Sequence, residues 1–289
     1  MENLRGASLM TLAMLGFAIA DTFIKLMADS LQVSQIIASM GAGGAIIFGA
    51  LTLMQGRALV EPDLLTRAVL LRNLGELLGT LGFVTALAMS TLSSASAILQ
   101  VSPLMVTLGA ALFLKERVGW RRWSAIFAGF FGVLLVVRPG VEGIDPGALF
   151  ALLGVAGLVL RDLATRQVPR HTSSLQLSFL GFATLIPTAG LLRLLEAGVW
   201  MWPTPIQWVT IAAMVVTLAA AYFCIVSAMR VGEVSYVTPF RYTRIVFALV
   251  AGYFVFDERP DALMLVGAAI IVGAGIYTVW RERRVRPIA

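Results

Sequence analysis

Charged residues, lysine, histidine and cysteine are all scarce in this 289-residue chain. Only 13% of its residues are charged, against about 25% in an average soluble domain, so an ordinary soluble globular protein is excluded. The single cysteine, Cys224, has no partner for a disulfide within the chain and indicates no redox compartment. The single histidine, His171, belongs to no cluster with metal-ligand spacing, and the G-x-x-x-x-G-K-[ST] motif of nucleotide-hydrolysing loops is absent. We therefore expect no metal, no cofactor and no nucleotide hydrolysis by that loop.

Hydrophobic residues make up 59% of the chain, and they arrive in repeated runs of about 18 or more residues, the length that an α-helix needs to cross a bilayer. This pattern predicts an all-α integral membrane protein with ten transmembrane helices. The first run could be mistaken for a signal peptide, but Asp21 and Lys25 interrupt it, so we expect an uncleaved first span. The predicted spans cover residues 6–28, 34–54, 68–89, 95–114, 120–138, 146–166, 174–195, 206–229, 235–256 and 261–281.

The distribution of arginine and lysine predicts the orientation of these spans. With the N-terminus in the cytoplasm, fourteen basic residues fall on the cytoplasmic side and four, Lys25, Arg138, Arg193 and Arg259, fall on the other side. This positive-inside bias predicts a multi-pass protein of the bacterial inner membrane with both termini in the cytoplasm. The same bias accounts for the net charge of +6, so we expect no nucleic acid as a partner.

A weak internal repeat divides the chain into two halves of five spans each. When Gly6 is aligned with Gly147, Asp21 falls on Asp162, and an offset one residue larger aligns the Glu-Arg of KERVGWRRW with that of DERPDALML. Because five is an odd number, the second half crosses the membrane in the opposite orientation, and inverted repeats of this kind place a substrate site near the midplane. We predict two inverted five-helix repeats, at 1–140 and 141–289, around a central cavity.

Two stretches resemble the EamA-type ten-helix transporters of the drug/metabolite transporter superfamily. They are ALAMSTLSSASAILQVSPLMVTLGAALFLKERVGWRRWSAIFAGFFGVLLVVRPG at 86–140 and VSYVTPFRYTRIVFALVAGYFVFDE at 234–258. The first has the family's small-residue start, mid-helix proline and terminal Glu-Arg, followed by a Gly-rich span. The resemblance implies export or exchange of small metabolites, amino acids among them, through a central cavity. Pro103 has no clear equivalent in the second half, where Pro239 lies earlier, so no proline role is transferred between the halves.

Ionisable residues inside the predicted spans are the main candidates for function. A charge at the bilayer centre costs about 2.5–3.5 kcal/mol on insertion scales, so these side chains must face the bundle interior or a wet cavity. Arg72 and Glu76 are four residues apart, share one helix face and can pair. Two interpretations stay open for the group: ion pairs that hold the helices together, or groups that line a substrate cavity. The group comprises Asp21, Arg72, Glu76, Arg161, Asp162, Arg241 and Arg244.

Within this group, Arg241 and Arg244 are the strongest candidates for a substrate contact. They follow Pro239 in the first turns of a predicted span, and the fixed fork of guanidinium donors suits a carboxylate or a phosphate. In span 4, Ser96, Gln100, Pro103 and Thr107 recur on one helical face, which fits either cavity lining or helix packing. The predicted substrate-binding residues are Asp21, Arg72, Asn73, Glu76, Gln100, Asp162, Tyr222, Arg241, Tyr242 and Arg244.

We expect a secondary transporter, and not an enzyme, that moves small polar or amphiphilic metabolites by alternating access. We expect amino acids, moved outward, as the substrates, with the arginines binding their carboxylate; the sequence itself does not indicate the direction of transport. The alternatives are an uptake carrier for a larger charged metabolite, of vitamin or S-adenosylmethionine type, and an integral-membrane enzyme that modifies lipids. Proton coupling through Asp21, Glu76 or Asp162 and uncoupled export both stay open. The expected partners are a small-molecule substrate and membrane lipids, and a monomer is the working expectation.

Overall fold

The structure is a computed structural model that describes residues 2–61, 64, 66–113, 119–138, 145–169, 172–197, 199–231 and 234–285. The Glu-Arg pair of KERVGWRRW lies outside these ranges. The described residues form helices and connecting segments and contain no strand. The helices of the first half are α1 (Glu2–Ala28), α2 (Val33–Met54), α3 (Arg67–Met89), α4 (Leu92–Leu99), α5 (Ser102–Phe113) and α6 (Trp120–Val137). Those of the second half are α7 (Pro146–Thr165), α8 (Ser174–Leu195), α9 (Pro205–Val231), α10 (Val234–Val237), α11 (Thr243–Phe256) and α12 (Ala262–Val285).

The predicted all-α membrane fold with ten spans is confirmed. Eight spans are single helices, one consists of α4 and α5, and one consists of α10 and α11 joined by a 3₁₀ segment. Seven helical segments of the described chain, counting 92–113 as one, are long and apolar enough to cross a membrane by length and composition. Shorter apolar stretches at 123–137 and 262–278 lie within α6 and α12.

Span 4, predicted over 95–114, consists of two helices with a break between them. It breaks at Gln100, whose N–H bonds to the carbonyl three residues earlier at 3.2 Å. Pro103 has no N–H to donate to the carbonyl of Leu99. The hydroxyl of Ser102 donates to that carbonyl instead, at 2.6 Å. The span is therefore interrupted at the place where this side-chain bond stands in for the backbone bond that Pro103 lacks.

Span 9, predicted over 235–256, is broken as well. The 3₁₀ segment Thr238–Tyr242 lies between α10 and α11, with Pro239 at its beginning. Proline lacks the N–H that an α-helix would use here, and its ring crowds the preceding turn. The broken spans are the fourth of each half, so the two interruptions occupy corresponding places in the repeat.

The helices pack in pairs that recur when the two halves are exchanged. α1 packs against α9 as α7 packs against α3, while α2 contacts α8, α6 contacts α12, and α4 contacts α11. At the α3–α7 interface, a Cβ added to Gly157 would lie 2.2 Å from the backbone nitrogen of Gly79. A Cβ added to Gly82 would lie 2.4 Å from the nitrogen of Gly154. Glycine is needed here because the backbones of the two helices approach too closely for any side chain.

Two charged side chains hold the connection between α3 and α4. Lys25 of α1 donates to the carbonyl of Ser90, at the C-terminal end of α3. Glu258, which follows α11, accepts hydrogen bonds from the backbone N–H groups of Leu92 at 2.6 Å and Ser93 at 3.0 Å, at the N-terminal end of α4. Each charge complements the helix end that it meets. These bonds therefore attach the connection between α3 and α4 to span 1 of the first half and to the end of span 9 in the second half.

Candidate functional site

The breaks of the two interrupted spans are joined by a hydrogen bond. The side-chain amide of Gln100, buried at the end of α4, donates to the backbone carbonyl of Arg241 in the 3₁₀ segment at 3.2 Å. The two residues are 141 positions apart, which is the spacing that aligns the halves. Interrupted spans in corresponding positions of two repeats are where substrate sites of secondary transporters lie. The candidate site is therefore the interior of the bundle around this bond.

Arg244 and Asp21 form a buried, two-pronged ion pair between α11 and α1. Nη2 of Arg244 lies 2.7 and 3.0 Å from the two carboxylate oxygens, and Nε lies 3.1 Å from Oδ2. The guanidinium carbon is 5.2 Å from the ring centres of both Phe17 and Phe83. The carboxylate of Asp21 and the two aromatic rings hold the guanidinium in one place. Because Asp21 lies in α1, Arg244 connects the first span to the ninth.

A second cluster of charges lies between α3 and α7. Arg161 contacts Asp162 at 2.9 Å and Glu76 at 3.5 Å, and Arg72 lies 3.8 Å from Glu76. The predicted pairing of Arg72 with Glu76 is thus present, but it is long. Arg72 makes shorter hydrogen bonds, at 3.0 Å to the side-chain oxygen of Asn73 and at 2.8 Å to a backbone carbonyl of α8.

Arg241 differs from these arginines because it forms no ion pair with any residue that the structure describes. Among the residues that the structure describes, no carboxylate oxygen lies within 4.0 Å of its guanidinium, whereas Arg72, Arg161 and Arg244 each have one. Its side chain is half-buried. Asp162 attracts it electrostatically without touching it, and Arg161 and Arg244 repel it. An arginine in this position has its donors free for another molecule.

The charges of the site leave one positive charge in excess. Asp21 and Arg244 neutralise each other. The remaining group contains three arginines and two carboxylates, namely Arg72, Arg161, Arg241, Glu76 and Asp162. Since Arg241 is the arginine of this group without a carboxylate contact in the described structure, the excess charge is centred there. An anionic group bound at Arg241 would neutralise the site.

The two tyrosines that the sequence singled out lie in different surroundings. Tyr222 of α9 is half-buried, makes an edge-on contact with the ring of Phe48 at 5.1 Å and interacts electrostatically with Arg161. Tyr242 is buried in the core, and a Cβ added to Gly275 would lie 1.8 Å from its hydroxyl oxygen. Tyr222 therefore belongs to the surroundings of the charge cluster, whereas Tyr242 packs against α12.

Sequence reasoning missed some residues of this site. Phe17 and Phe83 flank the guanidinium of Arg244, but a phenylalanine in an apolar span has no feature that separates it from packing residues. Arg161 carried a usable signal, because it is a charge inside a predicted span, yet it was not among the predicted substrate-binding residues. Its contacts with Glu76 and Asp162 make it the centre of the second cluster. In the described part of the chain, no three His, Cys, Asp or Glu side chains are placed to hold a metal ion.

The sequence matches known transporters over most of its length. The profile of the EamA-like transporter family matches residues 4–138 and again residues 145–280. The chain is 25% identical to the S-adenosylmethionine uptake transporter of Rickettsia bellii over 239 residues, which cover 83% of this chain and 78% of that protein. It is 30% identical to the riboflavin transporter of Rhizobium johnstonii over 236 residues, covering 76% of this chain and 70% of that protein.

Two further similarities extend over nearly the whole chain. The pseudopaline exporter of Pseudomonas aeruginosa is 27% identical over 282 residues, which are 94% of each protein. A solved crystal structure superimposes with a TM-score of 0.60 at 16% identity, covering 96% of this chain and 99% of the other. At that identity, the structural similarity supports the fold alone.

Proposed function

The chain belongs to the EamA-like transporter family, and we propose that it carries a small carboxylate-bearing metabolite across the bacterial inner membrane by alternating access. That it is a multi-pass membrane transporter of small metabolites, and not an enzyme, follows from the family and from the relatives named above. The substrate, the direction and the mechanism belong to the proposal.

The unpaired guanidinium of Arg241 is the observation that carries the proposal. Placing a charge near the bilayer centre costs about 2.5–3.5 kcal/mol on insertion scales. In the described structure, Arg72, Arg161 and Arg244 each have a carboxylate oxygen within 4.0 Å, whereas Arg241 has none. The planar fork of an arginine binds a carboxylate through two parallel hydrogen bonds. A substrate carboxylate would supply the missing partner in the break of span 9.

Amino acids moving outward are the substrates that we favour. Their carboxylate suits Arg241, the arginine that has no carboxylate contact among the described residues. Uptake of a larger charged metabolite is the second candidate, because relatives of this chain are named as uptake transporters for S-adenosylmethionine. The relatives include an exporter as well, so their names favour neither direction.

Alternating access would use the two halves as the moving bodies. One half would rotate against the other around the joined breaks of spans 4 and 9, since related helices of the two halves pack in pairs. In the proposed orientation both termini are cytoplasmic, and the ties formed by Lys25 and Glu258 lie at the outer ends of the helices. The structure would then represent a state that is held closed towards the outside.

Transport by the purified protein in sealed liposomes tests the proposed function. Radiolabelled amino acids, S-adenosylmethionine and riboflavin would be offered separately, with empty liposomes as the control. We expect saturable transport of a carboxylate-bearing compound that an imposed substrate gradient is sufficient to drive. Transport of riboflavin alone would contradict the proposal, because riboflavin has no carboxylate for Arg241.

A further inference from the structure

We infer that the substrate is a zwitterion and that Asp162 binds its cationic group. This inference rests on the proposed function, in which Arg241 binds the substrate carboxylate. It adds a second contact of opposite charge, and it narrows the substrate class to compounds that carry an ammonium or a sulfonium group beside the carboxylate.

The first observation is that two repeat-related carboxylates have different surroundings. Asp21 and Asp162 are separated along the chain by the repeat spacing and occupy equivalent places in α1 and α7. Both oxygens of Asp21 are held by Arg244. By the same spacing, the counterpart of Arg244 in the first half is Pro103, which has no donor to offer. Asp162 therefore lacks the arginine that fixes its counterpart, and the symmetry of the two halves is broken at this point.

The second observation concerns the oxygens of Asp162. Oδ1 contacts Nε and Nη2 of the neighbouring Arg161, both at 2.9 Å. Oδ2 accepts no hydrogen bond from any of the residues that the structure describes. The Asp162 side chain is 30% exposed, against 5% for Asp21. One oxygen of Asp162 is thus accessible and free to accept a hydrogen bond from a ligand.

Glu76 is a weaker candidate for the same role. Its two oxygens lie between two arginines, with Arg161 at 3.5 Å and Arg72 at 3.8 Å. A cation arriving at Glu76 would approach both of these positive charges. Asp162 has one arginine in contact, through Oδ1, while Arg241 and Arg72 act on it from a greater distance, and its Oδ2 accepts no hydrogen bond from the described residues.

The third observation is the relation between Asp162 and Arg241. The two side chains attract each other, but no ion pair joins them. A molecule that carries the reverse pair of charges can contact both Asp162 and Arg241. A purely anionic substrate at Arg241 would instead be repelled by the free oxygen of Asp162. A zwitterion places an opposite charge beside each of these two residues.

Binding of matched compounds to purified variants tests the inference. The probes are L-amino acids and the corresponding carboxylates that lack the amino group, each titrated against the wild type, Asp162→Asn, Asp162→Glu and Asp21→Asn. Loss of one hydrogen bond to a charged group predicts at least about tenfold weaker binding of the amino acids by Asp162→Asn. Binding of the carboxylates by this variant should be unchanged or stronger, and Asp162→Glu should restore part of the amino-acid affinity.

Melting temperatures without ligand separate a binding role from a structural one. We expect Asp162→Asn to melt closer to the wild type than Asp21→Asn, because residue 162 is more exposed and its amide oxygen can still accept from Arg161, whereas Arg244 loses the buried carboxylate that its Nε and Nη2 contact. Equal affinity of the wild type for an amino acid and its deaminated carboxylate would overturn the inference, as would unchanged amino-acid binding by Asp162→Asn. If Arg241→Gln binds amino acids normally while Asp162→Asn does not, the carboxylate role of Arg241 fails and the cation site at Asp162 stands.

Discussion

The side-chain amide of Gln100 donates a hydrogen bond to the backbone carbonyl of Arg241, its counterpart in the second half of the chain. This bond joins the interruption of span 4 to that of span 9, so each half of the protein contacts the other at the same place in its repeat. The amide holds the backbone of the arginine whose guanidinium has no carboxylate partner in the described structure. Gln100 therefore positions Arg241.

We expect Gln100→Ala to weaken transport while the protein still folds and inserts. The lost hydrogen bond contributes about 0.5–1.5 kcal/mol, and its loss frees the backbone that carries Arg241. Gln35→Ala is a matched control, because the Gln35 amide also donates to a backbone carbonyl, that of Met201 at 2.7 Å, but outside the candidate site. Equal effects of the two substitutions on transport would contradict a positioning role for Gln100.

The ion pair of Arg244 and Asp21 predicts strong coupling between two substitutions. Removing one partner of a buried ion pair costs about 3–5 kcal/mol, because the other charge stays buried and unpaired. Arg244→Met should therefore lower the melting temperature clearly, and Arg244→Met with Asp21→Leu should recover most of the loss. The readout is thermal unfolding of the purified protein in detergent. Additive losses in the double variant would show that the pair does not connect spans 1 and 9.

The close approach of α3 and α7 predicts a large effect from one added methyl group. A Cβ at residue 157 would lie 2.2 Å from the backbone nitrogen of Gly79, so Gly157→Ala must separate the helices, at a cost of about 1–3 kcal/mol. Gly190→Ala in α8 is the control, because a Cβ there meets no atom within 4 Å. Thermal unfolding should show destabilisation for the first variant alone. Similar melting temperatures for both would mean that the interface is looser than described.

The proposed orientation predicts a cytoplasmic C-terminus. Fourteen basic residues on one side against four on the other favour this arrangement. Alkaline phosphatase fused after Ala289 should be inactive, since this enzyme needs the periplasm, and green fluorescent protein fused at the same position should fluoresce. An active phosphatase fusion would overturn the orientation and, with it, the assignment of Lys25 and Glu258 to the outer side.

Much of the fold could be predicted from the sequence because its signals are local. Runs of apolar residues determine where helices cross the bilayer, and the internal repeat is sufficient by itself to relate Asp21 to Asp162. The breaks in spans 4 and 9 were missed. A proline inside a membrane span is compatible with a helix that crosses the bilayer, and the bond from Ser102 to Leu99 depends on side-chain geometry that hydropathy does not register.

The site was only partly predictable, for a different physical reason. Hydropathy identifies which charges are buried, but which charges pair depends on how ten helices pack. Arg241 and Arg244 looked equivalent in the sequence RYTR. In the structure, one turn of helix separates an arginine held by Asp21 from an arginine that has no ion pair among the described residues. The sequence offers no local signal for that difference.

The central claim is that Arg241 binds the carboxylate of the transported substrate. Apparent KM for transport of the best substrate into liposomes, measured for the wild type and Arg241→Lys, tests it most directly. Lysine keeps the charge but loses the planar fork, so we expect KM to rise at least about tenfold while the melting temperature without substrate stays close to that of the wild type. An unchanged KM in a normally folded Arg241→Lys variant would contradict the claim.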